Sequence, residues 1–256
     1  MRHPDLEHAA YTLVAVPPPY LNTERVEPLR LWRPEPGAVM LVDLRHPSTM
    51  TDARLRAVAK AIHTDFDVSL GLRVPSLSSP EGHGLAVRAH ALGYRALLSP
   101  GVPIQASLYN ALSSRHGLAE DVLAWIQRRQ CIPAGASDII RTILETAPVA
   151  LTLEDVYRKG RLKGGTARRV LRSAGLPTPE RWQGLSRMLN TQLDLIAEPD
   201  LTVSEAARAC GYAHALSLNN RMTKLFGFGA TTGRRLLGIE WRLAAWWRRY
   251  ARPNPT

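Results

Sequence analysis

Residues 201–227 read LTVSEAARACGYAHALSLNNRMTKLFG. Val203, Ala206, Ala207 and Cys210 fall on one face of a short helix, and Thr202 or Ser204 can cap its start. Gly211 follows where the chain must turn sharply, and the absence of a Cβ makes the turn inexpensive. A second helix over Ala215–Phe226 points Leu218, Met222 and Leu225 or Phe226 inward. Its other face carries Ser217, Asn219, Asn220, Arg221 and Lys224. Helix, tight glycine turn and helix, with amides and cations facing out, is the helix-turn-helix pattern, whose second helix fits a major groove. Asparagine can pair bidentately with adenine, and Arg or Lys can reach guanine or phosphate.

A similar unit lies upstream. Residues 151–156, LTLEDV, open with a Thr152/Asp155 capping pattern, and Gly160 is expected to supply the turn. Residues 165–174, GTARRVLRSA, form the second helix, with Ala167, Val170 and Leu171 inward and Arg168, Arg169 and Arg172 outward. Gly175 ends it. Gly164 and Gly165 stand at its start, each costing roughly 1 kcal/mol in helical conformation, so the helix is expected to begin late. Between the two units, residues 179–198 form one long helix with Pro179 in its first turn. Trp182, Leu185, Leu189, Leu193 and Ile196 mark its buried stripe.

This arrangement resembles the AraC/XylS family DNA-binding domain, in which one long helix joins two helix-turn-helix units. The second unit of that family usually has a Leu-Thr-Val start, a Gly-Tyr or Gly-Phe turn, and a Phe-Gly end followed by an Arg pair. Here those are Leu201-Thr202-Val203, Gly211-Tyr212, Phe226-Gly227 and Arg234-Arg235. The first unit matches through Leu151-Thr152-Leu153 and Gly175-Leu176-Pro177-Thr178-Pro179, so the resemblance covers about residues 138–237. The family often has Phe where Leu218 and Met222 stand, and Arg where Asn220 stands. The resemblance implies binding to double-stranded DNA through Gly165, Thr166, Arg168, Arg169, Arg172, His214, Ala215, Ser217, Asn219, Asn220, Arg221 and Lys224. Of these, Arg168, Arg169, Asn219 and Asn220 are expected at base edges, and Arg172, Arg221 and Lys224 at phosphates. His214 reads as a turn residue near phosphate, with no metal-ligand partners, and Cys210 as a small core residue.

Charge agrees with a polyanionic partner. The formal net charge is +11. Residues 1–136 hold 14 Lys and Arg against 12 Asp and Glu, a balance of +2, whereas residues 137–256 hold 19 against 10, a balance of +9. A positive field of that kind releases counterions when it meets phosphates. No stretch approaches the roughly 18 apolar residues of a membrane span. The start, MRHPDLEHAA, is polar and acidic, unlike a secretory signal, and the two cysteines, Cys131 and Cys210, are far apart. A reduced, cytoplasmic bacterial protein is expected.

The N-terminal half reads as strand alternating with helix. Strands are expected over Tyr11–Val16, stopped by Pro17-Pro18-Pro19, and over 38–44, 68–74 and Tyr94–Leu98. Helices are expected over 51–62, 85–92 and Ile104–Leu112, with 75–84 a loop. This order predicts a three-layer α/β domain with parallel pairing. Residues 38–47, AVMLVDLRHP, end a strand in Asp43, and residues 96–98 lead into Ser99-Pro100, which over about 38–112 resembles a response-regulator receiver domain. That family needs an acidic pair after its first strand and a Lys before the later Pro; here Pro17-Pro18-Pro19 and Ser99 stand in those places. Without metal-binding carboxylates, phosphoryl transfer loses its charge neutralisation. Asp43 is therefore read as a vestigial phosphoacceptor or a strand-end cap.

From residue 118 onward no strand is expected. Residues 118–130 form an amphipathic helix, 132–137 (IPAGAS) a hinge, and the last helix, with Trp241, Trp246 and Trp247 among Arg242, Arg248 and Arg249, a cap on its domain. The expected organisation is a degenerate flavodoxin- or receiver-like α/β domain over 1–116, a linker helix and hinge over 117–137, and an all-α tandem helix-turn-helix domain over 138–256. The first domain is expected to serve sensing or dimerisation, with a second copy of the chain bound through residues 1–130. RNA polymerase is a further candidate partner, and neither a cofactor nor a metal is expected. Two other classes stand beside this reading: a non-enzymatic protein-interaction adaptor with a degenerate DNA-binding domain, and a small-molecule-binding α/β protein. No Gly-rich phosphate loop, metal-ligand spacing or nucleophile elbow supports an enzyme.

Overall fold

The computed structural model describes residues 7–8, 11–20, 24–25, 32–44, 50–149 and 152–251. The chain forms two compact units. One joins Met1–Ser113 with Arg235–Trp241; the other joins Ser114–Arg234 with Arg242–Thr256.

The first unit is α/β. Its main strands are β1 (Tyr11–Val16), β2 (Val39–Leu44), β3 (Ser69–Arg73) and β4 (Tyr94–Leu98), lying side by side in chain order, with short strands Glu7–His8 and Glu24–Arg25 beside β1. β1 runs antiparallel to β2, with Tyr11 opposite Leu44 and Val16 opposite Val39. β2, β3 and β4 are parallel. Val39, Met40, Leu41 and Val42 are all buried, so β2 is covered on both faces and has no polar alternation. Helix α1 (Asp52–Asp65), capped by Thr51, and helix α2 (Pro80–Ala91), capped by Ser79, make the two crossovers. Right-handed crossovers that advance in one direction place both helices on one face of the sheet. There Leu55, Val58, Ile62, Leu85 and Ala89 share a core with Leu13, Met40, Val42, Leu70 and Leu72. Helix α3 (Ile104–Leu112) follows β4 and buries Leu108 and Leu112.

The sheet differs from the parallel, receiver-like one expected from the sequence. A flavodoxin-type domain is wholly parallel in its core, and its strand order reverses at a switch point. This sheet is mixed and sequential. No helix lies among the described residues between β1 and β2, and their antiparallel pairing needs no crossover helix. Asp43, near the end of β2, is 3.6 Å from the Arg73 guanidinium on the adjacent strand. Residues 45–47 of the quoted strand-to-proline run lie outside the described residues. α2 also begins earlier than expected, inside the stretch read as loop, because Ser79 caps it and Pro80 fits its first position.

Residues 235–241 complete this unit. The Tyr20 hydroxyl donates to the Gly37 carbonyl at 2.7 Å and accepts the Leu237 N–H at 2.5 Å. Glu240 is buried; its Oε2 accepts from Ser69 Oγ at 2.5 Å and from the Ile239 N–H at 3.0 Å. The Arg95 guanidinium lies 4.0 Å from Oε1 of the same carboxylate. Burial pushes the Glu240 carboxyl up, but the Arg95 charge and the Ser69 hydroxyl outweigh it and hold the group below its ordinary value.

The regular elements described in the second unit are all helices: α4 (Leu118–Gln127), α5 (Ala134–Thr146), α6 (Leu153–Lys159), α7 (Gly164–Ser173), α8 (Pro179–Ala197), α9 (Val203–Ala209), α10 (Ala215–Phe226) and α11 (Ala230–Gly233). The last helix, α12 (Glu240–Tyr250), starts in the first unit and ends in the second. The expected hinge over 132–137 is shorter than the sequence suggests, since α5 begins at Ala134 behind Pro133 and Gly135 lies in its first turn. The 19-residue α8, about 28 Å long at 1.5 Å per residue, is the centre of the unit. Besides the apolar stripe, it buries Ser186, Asn190, Thr191 and Gln192. Ser186 Oγ donates to the Leu144 carbonyl of α5 at 3.0 Å, and Asn190 Nδ2 donates to the Ser186 carbonyl at 2.8 Å. Trp182 of α8 packs on Trp246 of α12 with ring centroids 4.6 Å apart, and Trp125 of α4 meets Trp247 edge-on at 5.8 Å. An exposed rod would carry a single buried stripe; α8 is instead a core helix around which the others assemble.

Candidate nucleic-acid interface

Two helix pairs flank α8: α6 with α7 before it, and α9 with α10 after it. Each first helix starts with a complete capping box. Thr152 Oγ1 accepts the Asp155 N–H at 3.1 Å while the Asp155 carboxylate accepts the Thr152 N–H at 3.1 Å. Thr202 and Glu205 repeat the arrangement, with Thr202 Oγ1 accepting the Glu205 N–H at 3.2 Å and the Glu205 carboxylate accepting the Thr202 N–H at 3.0 Å. Hydrogen bonds from the threonine side chain and backbone hold both carboxyls below their ordinary values. Leu151, which begins the first-unit match, lies outside the described residues.

The two turns differ. In the second, Gly211 has φ +78°, and the Tyr212 N–H closes the end of α9 on the Ala207 carbonyl at 2.8 Å. In the first, the left-handed residue is Arg161 at φ 52°, not Gly160, whose φ of −80° is helical. Gly160 serves close packing instead: a Cβ there would lie 2.3 Å from Thr142 Cγ2 of α5. The same logic explains why α7 begins at Gly164 rather than late. A Cβ on Gly164 would lie 2.6 Å from Cε2 of the buried Tyr157 ring, whereas one on Gly165 would meet nothing within 4 Å. The glycine cost to the helix is offset at position 164 by the approach of α7 to α6.

On α7, Ala167 and Leu171 are buried, and Gly165, Thr166, Arg168, Arg169 and Arg172 are exposed. The structure thus brings five of the expected residues to one surface. Arg168 is engaged: its Nε and Nη2 donate to Glu180 Oε1 at 3.1 and 2.7 Å, from the first turn of α8. Burial raises the Glu180 carboxyl, but the Arg168 hydrogen bonds outweigh it and the group ends below its ordinary value. Arg169 and Arg172 carry the outward charge of this helix.

On α10 the outward stripe is Leu216, Ser217, Asn220, Thr223 and Lys224, all exposed at helical spacing. His214 stands exposed at its N-cap and Ala215 is half-buried behind it. Two expected contacts belong to the protein instead. Asn219 is half-buried, and its Oδ1 accepts the Ala230 N–H at 2.8 Å, capping α11. Arg221 folds back along α8, where a Cβ on Gly184 would lie 2.4 Å from its Nη2, and its charge lies near the Tyr212 side chain. Leu216 and Thr223 are absent from the sequence-based set, although projecting the helix from the inward Leu218 and Met222 puts both on the outer face.

The residue after α11 is tied to the end of α8. Arg234 donates from Nε to the Leu195 carbonyl at 3.2 Å and from Nη2 to the Glu198 and Pro199 carbonyls at 3.1 and 2.7 Å. A guanidinium gathering the orphan carbonyls at a helix C-terminus satisfies both their hydrogen bonding and the helix dipole. Arg115 hydrogen-bonds the Asp194 carboxylate of α8. A cavity of about 250 Å³ in the helical unit is lined in part by Arg115, Glu120, Glu145 and Asn190, with Glu120 already ion-paired to Arg141. Among the described residues no group of three or more His, Cys, Asp or Glu could hold a metal ion, and no helix is long and apolar enough to cross a membrane.

No family model matches the chain, and no curated protein matches it. Among solved structures it is similar to that of the xylose-binding transcription activator xylR, at 12% identity and a TM-score of 0.37, covering 74% of this chain and 52% of that one. It is also similar to the crystal structure of the transcriptional regulator CdpR from Pseudomonas aeruginosa, at 18% identity and a TM-score of 0.34, covering 77% of this chain and 67% of that one. The chain spans about half the length of the first of these.

Proposed function

We propose that the protein is a DNA-binding transcription regulator whose α7 and α10 enter successive major grooves of one duplex. The observation that supports this most is the pair of capped helix-turn-helix units on either side of α8, each with an exposed second helix. On α7, Arg169 and Arg172 would meet guanine edges or phosphate, with Thr166 beside them and Gly165 allowing close approach of the backbone. On α10, Ser217 and Asn220 would meet base edges, and His214 and Lys224 the phosphates. Arg168 would hold α7 against α8 through Glu180. The excess of positive charge after residue 136 would drive association by counterion release. The α/β unit would serve regulation or self-association.

Selection from a random duplex pool with the full-length chain tests the proposal. It predicts enrichment of a bipartite site whose halves are about 10–10.5 base pairs apart, one helical turn. Failure to enrich any sequence, together with binding that does not weaken between low and moderate salt, would refute it and favour the adaptor class.

A further inference from the structure

The two outward helix faces differ in chemistry. On α7 the exposed stripe is cationic, with Arg169 and Arg172 beside Gly165 and Thr166. On α10 it holds one cation, Lys224, and starts with Leu216. Leu216 is 68% exposed, more than Val87 at 58% and Val102 at 50%, the other large apolar residues exposed among those described. A lone exposed leucine is common on protein surfaces. This one lies one turn before Asn220 and two turns before Thr223, on the same stripe. Its buried neighbours Leu218 and Met222 already close the core, so its exposure is not the edge of an unfinished core.

In the major groove an apolar side chain finds one apolar partner, the 5-methyl of thymine, and a carboxamide finds its best bidentate partner in adenine. Arg or Lys reading of guanine has little to work with on α10, because Arg221 is folded onto α8 and Lys224 sits in the last turn. We infer that α10 reads A·T base pairs, with Leu216 packed on a thymine methyl and Asn220 on an adjacent adenine, while α7 supplies charge and guanine contacts. The inference rests on the DNA-binding reading above and adds a target composition to it: an A·T-rich half-site under α10 and a half-site containing G·C under α7.

The test uses the bipartite site recovered from the random pool. Each thymine in the A·T-rich half is replaced in turn by deoxyuridine, which removes the methyl group and leaves every hydrogen-bonding group in place. The wild-type chain is expected to lose about fourfold in affinity at one of these positions, the worth of one buried methyl group. Leu216→Ala is expected to bind the thymine and deoxyuridine duplexes equally. Leu216 is exposed, so the variant keeps the fold, which its unfolding midpoint checks. Wild-type indifference at every thymine, or continued discrimination by Leu216→Ala, would overturn the inference while leaving DNA binding intact. A site rich in G·C under both helices would do the same. Absence of any recovered site would instead remove the regulator reading, and this inference with it.

Discussion

Gly164 and Gly165 are neighbours in the first turn of one helix, and their replacement by alanine should act in opposite directions. At Gly165 the new methyl meets nothing within 4 Å. The gain is then the helix propensity and reduced unfolded-chain entropy of alanine, about 0.4–1 kcal/mol. At Gly164 the same gain is opposed by a Cβ placed 2.6, 3.0 and 3.2 Å from Cε2, Cδ2 and Cζ of Tyr157. Carbon atoms prefer separations of about 3.5–4.0 Å. Tyr157 is only 7% exposed, so the ring has little room to retreat. Overpacking of that kind costs about 1–3 kcal/mol, which outweighs the propensity gain. Denaturant unfolding of the full-length chain should therefore show a raised midpoint for Gly165→Ala and a lowered one for Gly164→Ala. For a chain of this size the thermal midpoints should separate by several degrees, at about 2–4 °C per kcal/mol. Equal stabilisation by both substitutions would show that α7 does not approach Tyr157 as described.

Other consequences follow from the same contacts. Asn219→Ala removes the cap of α11 and should lower stability by about 1 kcal/mol in denaturant titration; a large loss of DNA affinity at full folding would return Asn219 to the base-reading set. Glu240→Gln leaves the Arg95 guanidinium without its buried carboxylate, and breaking such a pair costs about 3–5 kcal/mol. Faster amide exchange in β3 and β4 is the expected readout, and unchanged exchange would contradict the anchoring of residues 235–241. The Asp155, Glu205 and Glu240 carboxyls are all held below their ordinary values, so the folded chain binds fewer protons than the unfolded one in acid. Their contribution is complete above about pH 5 and is lost as the pH falls through their folded values. An unfolding midpoint that stayed flat or rose on acidification from pH 5 to 3 would oppose this.

The helical half was legible because its signals are local. Capping boxes at Thr152 and Thr202, Pro179 at a helix start, and Gly211 at a turn are each decided within a few residues. Inward and outward faces follow from helical spacing, which is how Arg169, Arg172, Ser217 and Asn220 could be named. What failed was long-range. Nothing near Asn219 announces that Ala230 will take its carbonyl oxygen, or near Arg221 that Gly184 leaves space for a guanidinium. Nothing near Gly160 announces that Thr142, eighteen positions away, leaves no room for a Cβ there, or that Arg161 takes the left-handed conformation. In the α/β half, strands and helices were visible, but their pairing was not. An apolar run such as 38–44 is equally at home in a parallel or a mixed sheet, and the closing segment 235–241 comes from the far end of the chain.

Arg169 and Arg172 are the exposed cations by which α7 would bind DNA. The salt dependence of duplex binding for the wild type, Arg172→Ala and Arg168→Ala shows whether they do. If Arg172 neutralises one phosphate, its removal should flatten the plot of log affinity against log salt by about 0.9. Arg168→Ala, which breaks the Glu180 pair instead, should leave that slope nearly as it was. Identical slopes for the wild type and Arg172→Ala, or no salt dependence in any of the three, would contradict the account.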